Sequence, residues 1–423
     1  MKNSVLKEIG SMLNIDEPHY VWPRITSDLE KVVVAQLHKS ISIYNKSGIL
    51  DEFERAFSEY HGKEYALLSN SGTNAIFSMF EGIGLKRGDE VIAPTYTFFA
   101  TISPIVYTGA IPVFCDCDET GNVTAEEISK HITKKTKAVI VTHMWGIPCE
   151  MDKISSLCKE KDIYLLEDCS HSHGATYNGK KVGTFGDASA WSLQGQKIVT
   201  GGEGGIMLTD NKEIYYRAVL QGHYNKRCKQ EIPSTHLLSK FSTTGFGLKF
   251  RAHPLAVAIA NEQFSHLDEW IKQKQIFAEK IIKALSEYEF LKLPVYKNKQ
   301  PSWYAFVMQY DETKSNGISI DEFCNALHVI GLKEVDRPGS TAPIHKYPLF
   351  IDLDEAMPRH YCKKNIQKEK NYKHAVSFFN NAIKLPMWSF KDEEHIVDAY
   401  IKGIKSICNL VVNNPSVLKG EQL

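Results

Sequence analysis

The sequence predicts an α/β fold with a mostly parallel central sheet flanked by helices and a smaller α+β C-terminal domain. Two observations carry this. Short apolar, β-branched runs alternate with amphipathic stretches of helical period, which is the pattern of strands buried on both faces by crossover helices. The 423-residue chain, 43% hydrophobic and 24% charged, is also long enough to bury one large core and a second smaller one.

Residues 1–45 read as an N-terminal arm and helix, ending near Asn45, Lys46, Ser47 and Gly48. Ser47 is expected to cap a helix through Phe53, Phe57 and Tyr60. Strands are then expected at residues 65–68, 90–93, 111–114, 138–141 and 163–166, with helices at 75–85, 125–132 and 154–161 between them. In such sheets ligands bind at the carboxyl ends of the strands, so the loops after these runs should hold the chemistry. A long helix over about 252–285 is expected to lead from the large domain, residues 46–269, into a small domain, residues 270–423. That second domain mixes a strand near 303–309 with helices over 320–330 and 393–407. The lysine-rich stretch 363–373 reads as a solvated helix or loop.

Lysine plus arginine equals aspartate plus glutamate at 50 each, so charge gives no reason to expect nucleic acid or an acidic membrane surface as partner. Nine scattered cysteines, an odd number, argue against a disulfide framework, and Cys115 and Cys117 stand one residue apart, poor spacing for zinc. No metal is expected. The first residues carry early charges and no apolar core of a leader, and no run reaches membrane-span length, so the reading is cytoplasmic.

Three loops stand out. Ser69 to Ala75 follows a strand and opens a helix, where free N–H groups around Gly72 and Thr73 suit a phosphate; a plain helix cap fits the same residues. Asp168 ends a strand, a position that suits a ribose hydroxyl, a metal, a pyridinium nitrogen or a turn cap alike, with His171 and His173 following. Lys197 sits in Ser192, Leu193, Gln194, Gly195, Gln196, Lys197, ahead of a glycine-rich run; the segment suits a hairpin with a surface lysine, or a desolvated nucleophile. Taken together, a phosphate seat, a carboxylate at the sheet edge and such a lysine are the parts pyridoxal 5'-phosphate requires. Phe98, at the end of another strand, fits as an aromatic face over the ring or as a core residue.

The same segments, in order, resemble the DegT/DnrJ/StrS sugar aminotransferases of fold type I. The likeness runs over about residues 53–263 and more loosely beyond, and includes Gly88 to Pro94, Tyr96 to Thr101, Gly109 to Phe114, Gly183 to Asp187 and Gly202 to Gly205. By resemblance, Lys197 is the Schiff-base and proton-transferring lysine, Asp168 the pyridinium partner and Phe98 the stacking ring. His171 falls beside the ring's 3-oxygen, and Gly72, Thr73 and Ser192 form the phosphate cup. Lys249 stands where the family has an asparagine that reaches the phosphate of a neighbouring subunit, which implies a homodimer with shared sites, and His345 falls in a loop that resembles the substrate-facing one. The implied reaction is ping-pong, from L-glutamate or L-glutamine to a keto sugar. A nucleotide-linked ketosugar in cell-surface glycan or secondary-metabolite biosynthesis is the expected acceptor, with a keto-cyclitol of the scyllo-inosose type or a free keto sugar as the alternative. Gln194 to Lys197 looks closer to the cyclitol group. A relative with histidine in place of the lysine dehydrates its sugar, and Lys197 speaks against that outcome. A non-catalytic cofactor-binding regulator is the reading from another class; no basic helix-turn-helix segment accompanies it.

Overall fold

The computed structural model describes residues 2–361 and 371–419. Most of the lysine-rich stretch expected as a solvated helix or loop, and Cys362, therefore lie outside the described residues. The central sheet has seven strands in the order Tyr65–Ser69, Gly205–Thr209, Ala188–Ser192, Tyr164–Asp168, Thr136–Thr142, Glu90–Pro94 and Ile111–Cys115. Only Gly205–Thr209 runs against its neighbours; the pairings from Ala188–Ser192 to Ile111–Cys115 are parallel. The strands are almost wholly buried, as continuous apolar runs such as Thr136–Thr142 require when helices cover both faces. Helices including Gly72–Gly82, Met151–Glu160 and Lys212–Gly222 supply that cover.

A second apolar core gathers Phe306, Met308, Leu327, Ile383, Ile404 and Ile407 around a three-stranded antiparallel sheet of Leu291–Lys292, Phe306–Tyr310 and Ala382–Leu385. Leu6 and Leu13 from the N-terminal helix join this core, so the start of the chain packs with its end.

Two local expectations are corrected. Ser47 is the N-cap residue by position, but its hydroxyl donates to Asn45 Oδ1 at 3.0 Å and does not cap a helical N–H. The long helix expected over 252–285 is two helices, Pro254–Phe264 and Leu267–Leu285, broken at Ser265 and His266. Both halves keep apolar spacing through the break, and no proline or glycine marks it.

The sheet register decides where the chemistry lies. Ser69 pairs with Gly205, Gly205 with Ser192, Asp168 with Ala190 and Thr142 with Asp168. Four strands that are distant in sequence thus end along one edge. Opposite them, the short strand Thr341–Pro343 from the C-terminal part of the chain pairs with Tyr96–Phe98 and closes that edge.

Candidate active site

The helix Gly72–Gly82 begins at this edge, with Ser71 Oγ accepting from Asn74 N at 3.1 Å. That bond satisfies one of the free amides of the first turn and leaves others facing the cavity with the positive end of the helix dipole. A Cβ at position 72 would lie 2.6 Å from Ser192 Cβ, so only glycine lets the helix start against Ser192. Position 205 is equally tight, since a Cβ there would sit 2.4 Å from the Ser71 carbonyl oxygen.

Asp168 is buried at 4% exposure. Its Oδ2 accepts from Thr101 Oγ1 at 2.6 Å and its Oδ1 from Ser170 N at 3.0 Å. Thr101 is held in turn by Thr97 at 2.9 Å, and Thr97 by Thr142 at 3.1 Å, so a row of buried hydroxyls fixes the carboxylate.

Lys197 lies between the strands Ala188–Ser192 and Gly205–Thr209, and its amide donates to Gln194 O at 2.8 Å. The residue is partly covered and its ammonium reaches inside: burial lowers the pKa to about 8, against a smaller upward pull from Asp168. Nζ lies 4.5 Å from the ring centroid of Tyr304, which also stacks on His171 at 4.1 Å and 13°. His171 is buried, its Nδ1 has no hydrogen-bond partner, and burial followed by the charge of Lys197 pushes its pKa well below the ordinary value. It is therefore neutral.

These side chains share one cavity of about 350 Å³, to which Gly72, Thr73, Phe98, Asp168, His171, Ser192 and Lys197 all contribute. The expected residues that lie elsewhere are Lys249 and His345. Lys249 is exposed, next to Phe250, whose carbonyl accepts from Asn70 N at 2.7 Å. His345 is outside the cavity, with Nδ1 2.6 Å from Thr95 Oγ1 and its ring against Tyr372. From that loop it is Ser340 and Thr341 that line the cavity. Sequence reading missed them, together with Tyr304 and Thr101. Thr101 lay inside a recognised segment and so had a signal; Tyr304 had none.

His143, Glu167 and Cys169 form the one group of His, Cys and acidic side chains close enough to share an ion among the described residues. Their lone pairs are already committed. Glu167 accepts from Gly183 N at 2.7 Å, Phe185 N at 2.8 Å and Gly186 N at 2.7 Å, and His143 Nδ1 accepts from Cys149 N at 3.1 Å. Burial raises the Cys169 thiol well above its usual range, so it offers no thiolate. The eight described cysteines, Cys115 and Cys117 among them, are buried free thiols.

The profile of the DegT/DnrJ/EryC1/StrS aminotransferase family matches residues 25–400. The chain belongs to this family. A GDP-perosamine synthase of Escherichia coli O157:H7 is 32% identical over 332 residues, 77% of this chain and 87% of that protein. A protein of Micromonospora echinospora described as a putative L-glutamine:3-amino-2,3-dideoxy-scyllo-inosose aminotransferase is 30% identical over 78% of each. Among solved structures, the aminotransferase from Psychrobacter cryohalolentis superposes with a TM-score of 0.82 at 25% identity, covering 94% of this chain and all of that one. Membership makes the chain a pyridoxal-phosphate-dependent aminotransferase of the sugar type. The cavity fits that cofactor on its own evidence. Position 72 is a cradle that a Cβ would fill, the Nδ1 of a buried histidine has no partner, and a desolvated amine and a hydrogen-bonded carboxylate face one space.

Proposed function

We propose that this chain moves the amino group of L-glutamate or L-glutamine to the keto carbon of a sugar or cyclitol, with Lys197 as the catalytic residue. The observation that carries the reading is that Lys197, its pKa lowered to about 8, lines the same cavity as Asp168. When bound, pyridoxal phosphate supplies an electron sink for the substrate carbon that loses a proton.

The chain's own residues do the remainder. The amides of Gly72 and Thr73 and the Ser192 hydroxyl seat the phosphate at the helix N-terminus. Asp168, oriented by Thr101 and Ser170, pairs with the ring nitrogen, and Phe98 offers a ring face. Neutral His171 gives a hydrogen bond beside the 3-oxygen without adding a charge next to Lys197. Lys197 Nζ, unprotonated above about pH 8, accepts a proton from the substrate carbon and returns it. Tyr304 and Thr341 cover the cavity and limit water.

The proposal includes a homodimer in which Lys249 reaches the phosphate seat of a second copy. Exposed Val34 and Leu37, on one face of the helix Ser27–Lys39, and exposed Leu248 beside Lys249 support such a contact. The eight unbridged thiols suit a reducing compartment, and we place the activity in the cytoplasm.

The test uses the cofactor-loaded protein. L-glutamate or L-glutamine is expected to bleach its visible absorbance, and one keto acceptor from a set of UDP-, GDP- and dTDP-linked ketosugars, free keto sugars and scyllo-inosose is expected to restore it. Bleaching by neither donor would defeat the reading.

A further inference from the structure

A second cavity, about 590 Å³, adjoins the first and shares Gln196, Tyr304, Ser340 and Thr341 with it. Small-molecule sites span roughly 300–1,000 Å³, so it is large enough to hold a substrate that reaches Lys197. Four aromatic residues contribute to its wall: Tyr20, Trp22, Trp145 and Tyr304. Tyr304 belongs to both walls: its ring stacks on His171 at 4.1 Å and lies nearly parallel to Trp145 at 6.2 Å, with Lys197 Nζ 4.5 Å from its centroid.

Its charges cancel. Lys333 and Lys384 face it, and so do Glu334 and Asp336. Lys384 Nζ pairs with Asp336 Oδ2 at 2.8 Å, and Lys333 pairs with Glu17, which lies outside the lining. His328 Nε2 donates to the Val335 carbonyl at 2.6 Å and is occupied. Recognition of a diphosphate draws on cations able to turn their donors to its oxygens. Here each lysine would have to leave a carboxylate, and the doubly negative group would then sit beside the two carboxylates of the lining. Like charges about 4 Å apart cost about 1 kcal/mol even in water and several times that near a protein surface.

A hydroxyl-rich ring meets the opposite situation. Aromatic faces cover its C–H surface, and Glu334 and Asp336 accept hydrogen bonds from its hydroxyls. We infer that this second cavity is the acceptor site, and that it takes an uncharged keto ring, a free keto sugar or keto-cyclitol, in preference to one carrying a nucleoside diphosphate. The inference rests on the aminotransferase reading above and narrows its acceptor, against the nucleotide-linked ketosugar expected from the sequence.

The test is calorimetric titration of the cofactor-loaded protein with scyllo-inosose and 3-keto-D-glucose, beside GDP, UDP and dTDP. One of the uncharged rings is expected to bind at least about tenfold tighter than any nucleoside diphosphate. Glu334→Gln should weaken that ring by roughly three- to tenfold, the size of one lost hydrogen bond. Glu334→Lys, which makes the rim net positive, should strengthen GDP, UDP and dTDP. Tighter binding of a nucleoside diphosphate by the unaltered protein, or no binding of either ring, overturns the acceptor class. An uncharged ring that binds equally well to Glu334→Gln overturns the location. Bleaching by the amino donor, followed on the same sample, separates the two readings: if it occurs while the rings fail to bind, only this inference falls.

Discussion

The indole N–H of Trp22 donates to the backbone carbonyl of Lys197 at 2.9 Å, across 175 residues of chain. Trp22 is itself held by Trp270, edge-on at 5.1 Å, and by Phe390, over which Arg24 lies at 3.8 Å. The N-terminal segment is thus a strap from the second core to the peptide that carries the Lys197 amine. Trp22→Phe keeps much of the ring packing and removes the donor. Its expected cost is about 0.5–1.5 kcal/mol in stability, with kcat lowered several-fold and the donor KM nearly unchanged. Loss of ring packing alone would not shift the pH midpoint for cofactor capture by Lys197, so a shifted midpoint identifies a positioning role.

Lys197→Ala is expected to abolish covalent retention of the cofactor and to slow transamination by at least about 10²-fold. Borohydride reduction followed by peptide mapping should place the cofactor's mass on Lys197 in the unaltered protein and on no peptide of the variant. Transamination by the variant at the unaltered rate would remove Lys197 from the mechanism.

The unprotonated amine is the attacking form, and burial lowers the Lys197 pKa from 10.5 to about 8. The rate at which the cofactor-free protein captures pyridoxal phosphate should therefore rise with pH through about 8 and level off above it, as followed by stopped-flow absorbance. Because Asp168 pulls this pKa upward, Asp168→Asn should move the midpoint lower. Between the two values the unfolded chain binds more protons than the folded one, so this group adds stability as pH rises from about 8 toward 10.5.

Gly72→Ala places a methyl 2.6 Å from Ser192 Cβ and 2.8 Å from Ser192 Cα. Backbone is involved, so relief by a side-chain rotation is not open. Overpacking of this kind costs about 1–3 kcal/mol. It should appear as a lower melting temperature together with weaker cofactor retention in equilibrium dialysis.

Arg227 is fully buried and its Nη2 donates to Glu54 Oε2 at 2.8 Å, while Glu54 Oε1 accepts from Leu68 N at 2.8 Å just before the loop that opens the helix Gly72–Gly82. Arg227→Met strands a buried carboxylate and should cost about 3–5 kcal/mol in urea denaturation. Adding Glu54→Gln should recover part of that loss.

Five of the seven strands of the large sheet were legible because each is a short apolar run covered on both faces, a pattern that needs no knowledge of the partner strand; Ala188–Ser192 and Gly205–Thr209 were not, lying to either side of the lysine segment among serines, alanines and glycines. Lys197, Asp168, Phe98 and Gly72 were legible because several segments occur in one order, and all four line one cavity. The break at Ser265 and His266 was not, since apolar spacing continues across it. Nor was the displacement of His345 by Ser340 and Thr341. That follows from the pairing of Thr341 with Phe98, a register set by backbone hydrogen bonds between segments some 240 positions apart.

The sequence by itself determined the strand and helix alternation, the glycines that allow close approach, and the amine and carboxylate available for the cofactor. All of these depend on local residue type and spacing. Only the tertiary structure decided that Tyr304 and Trp22 meet Lys197, that the N-terminal helix packs in the second core, and that the charges around the adjoining cavity cancel. Desolvation and charge pairing are properties of what surrounds a group in space, and the chain's linear order does not record them.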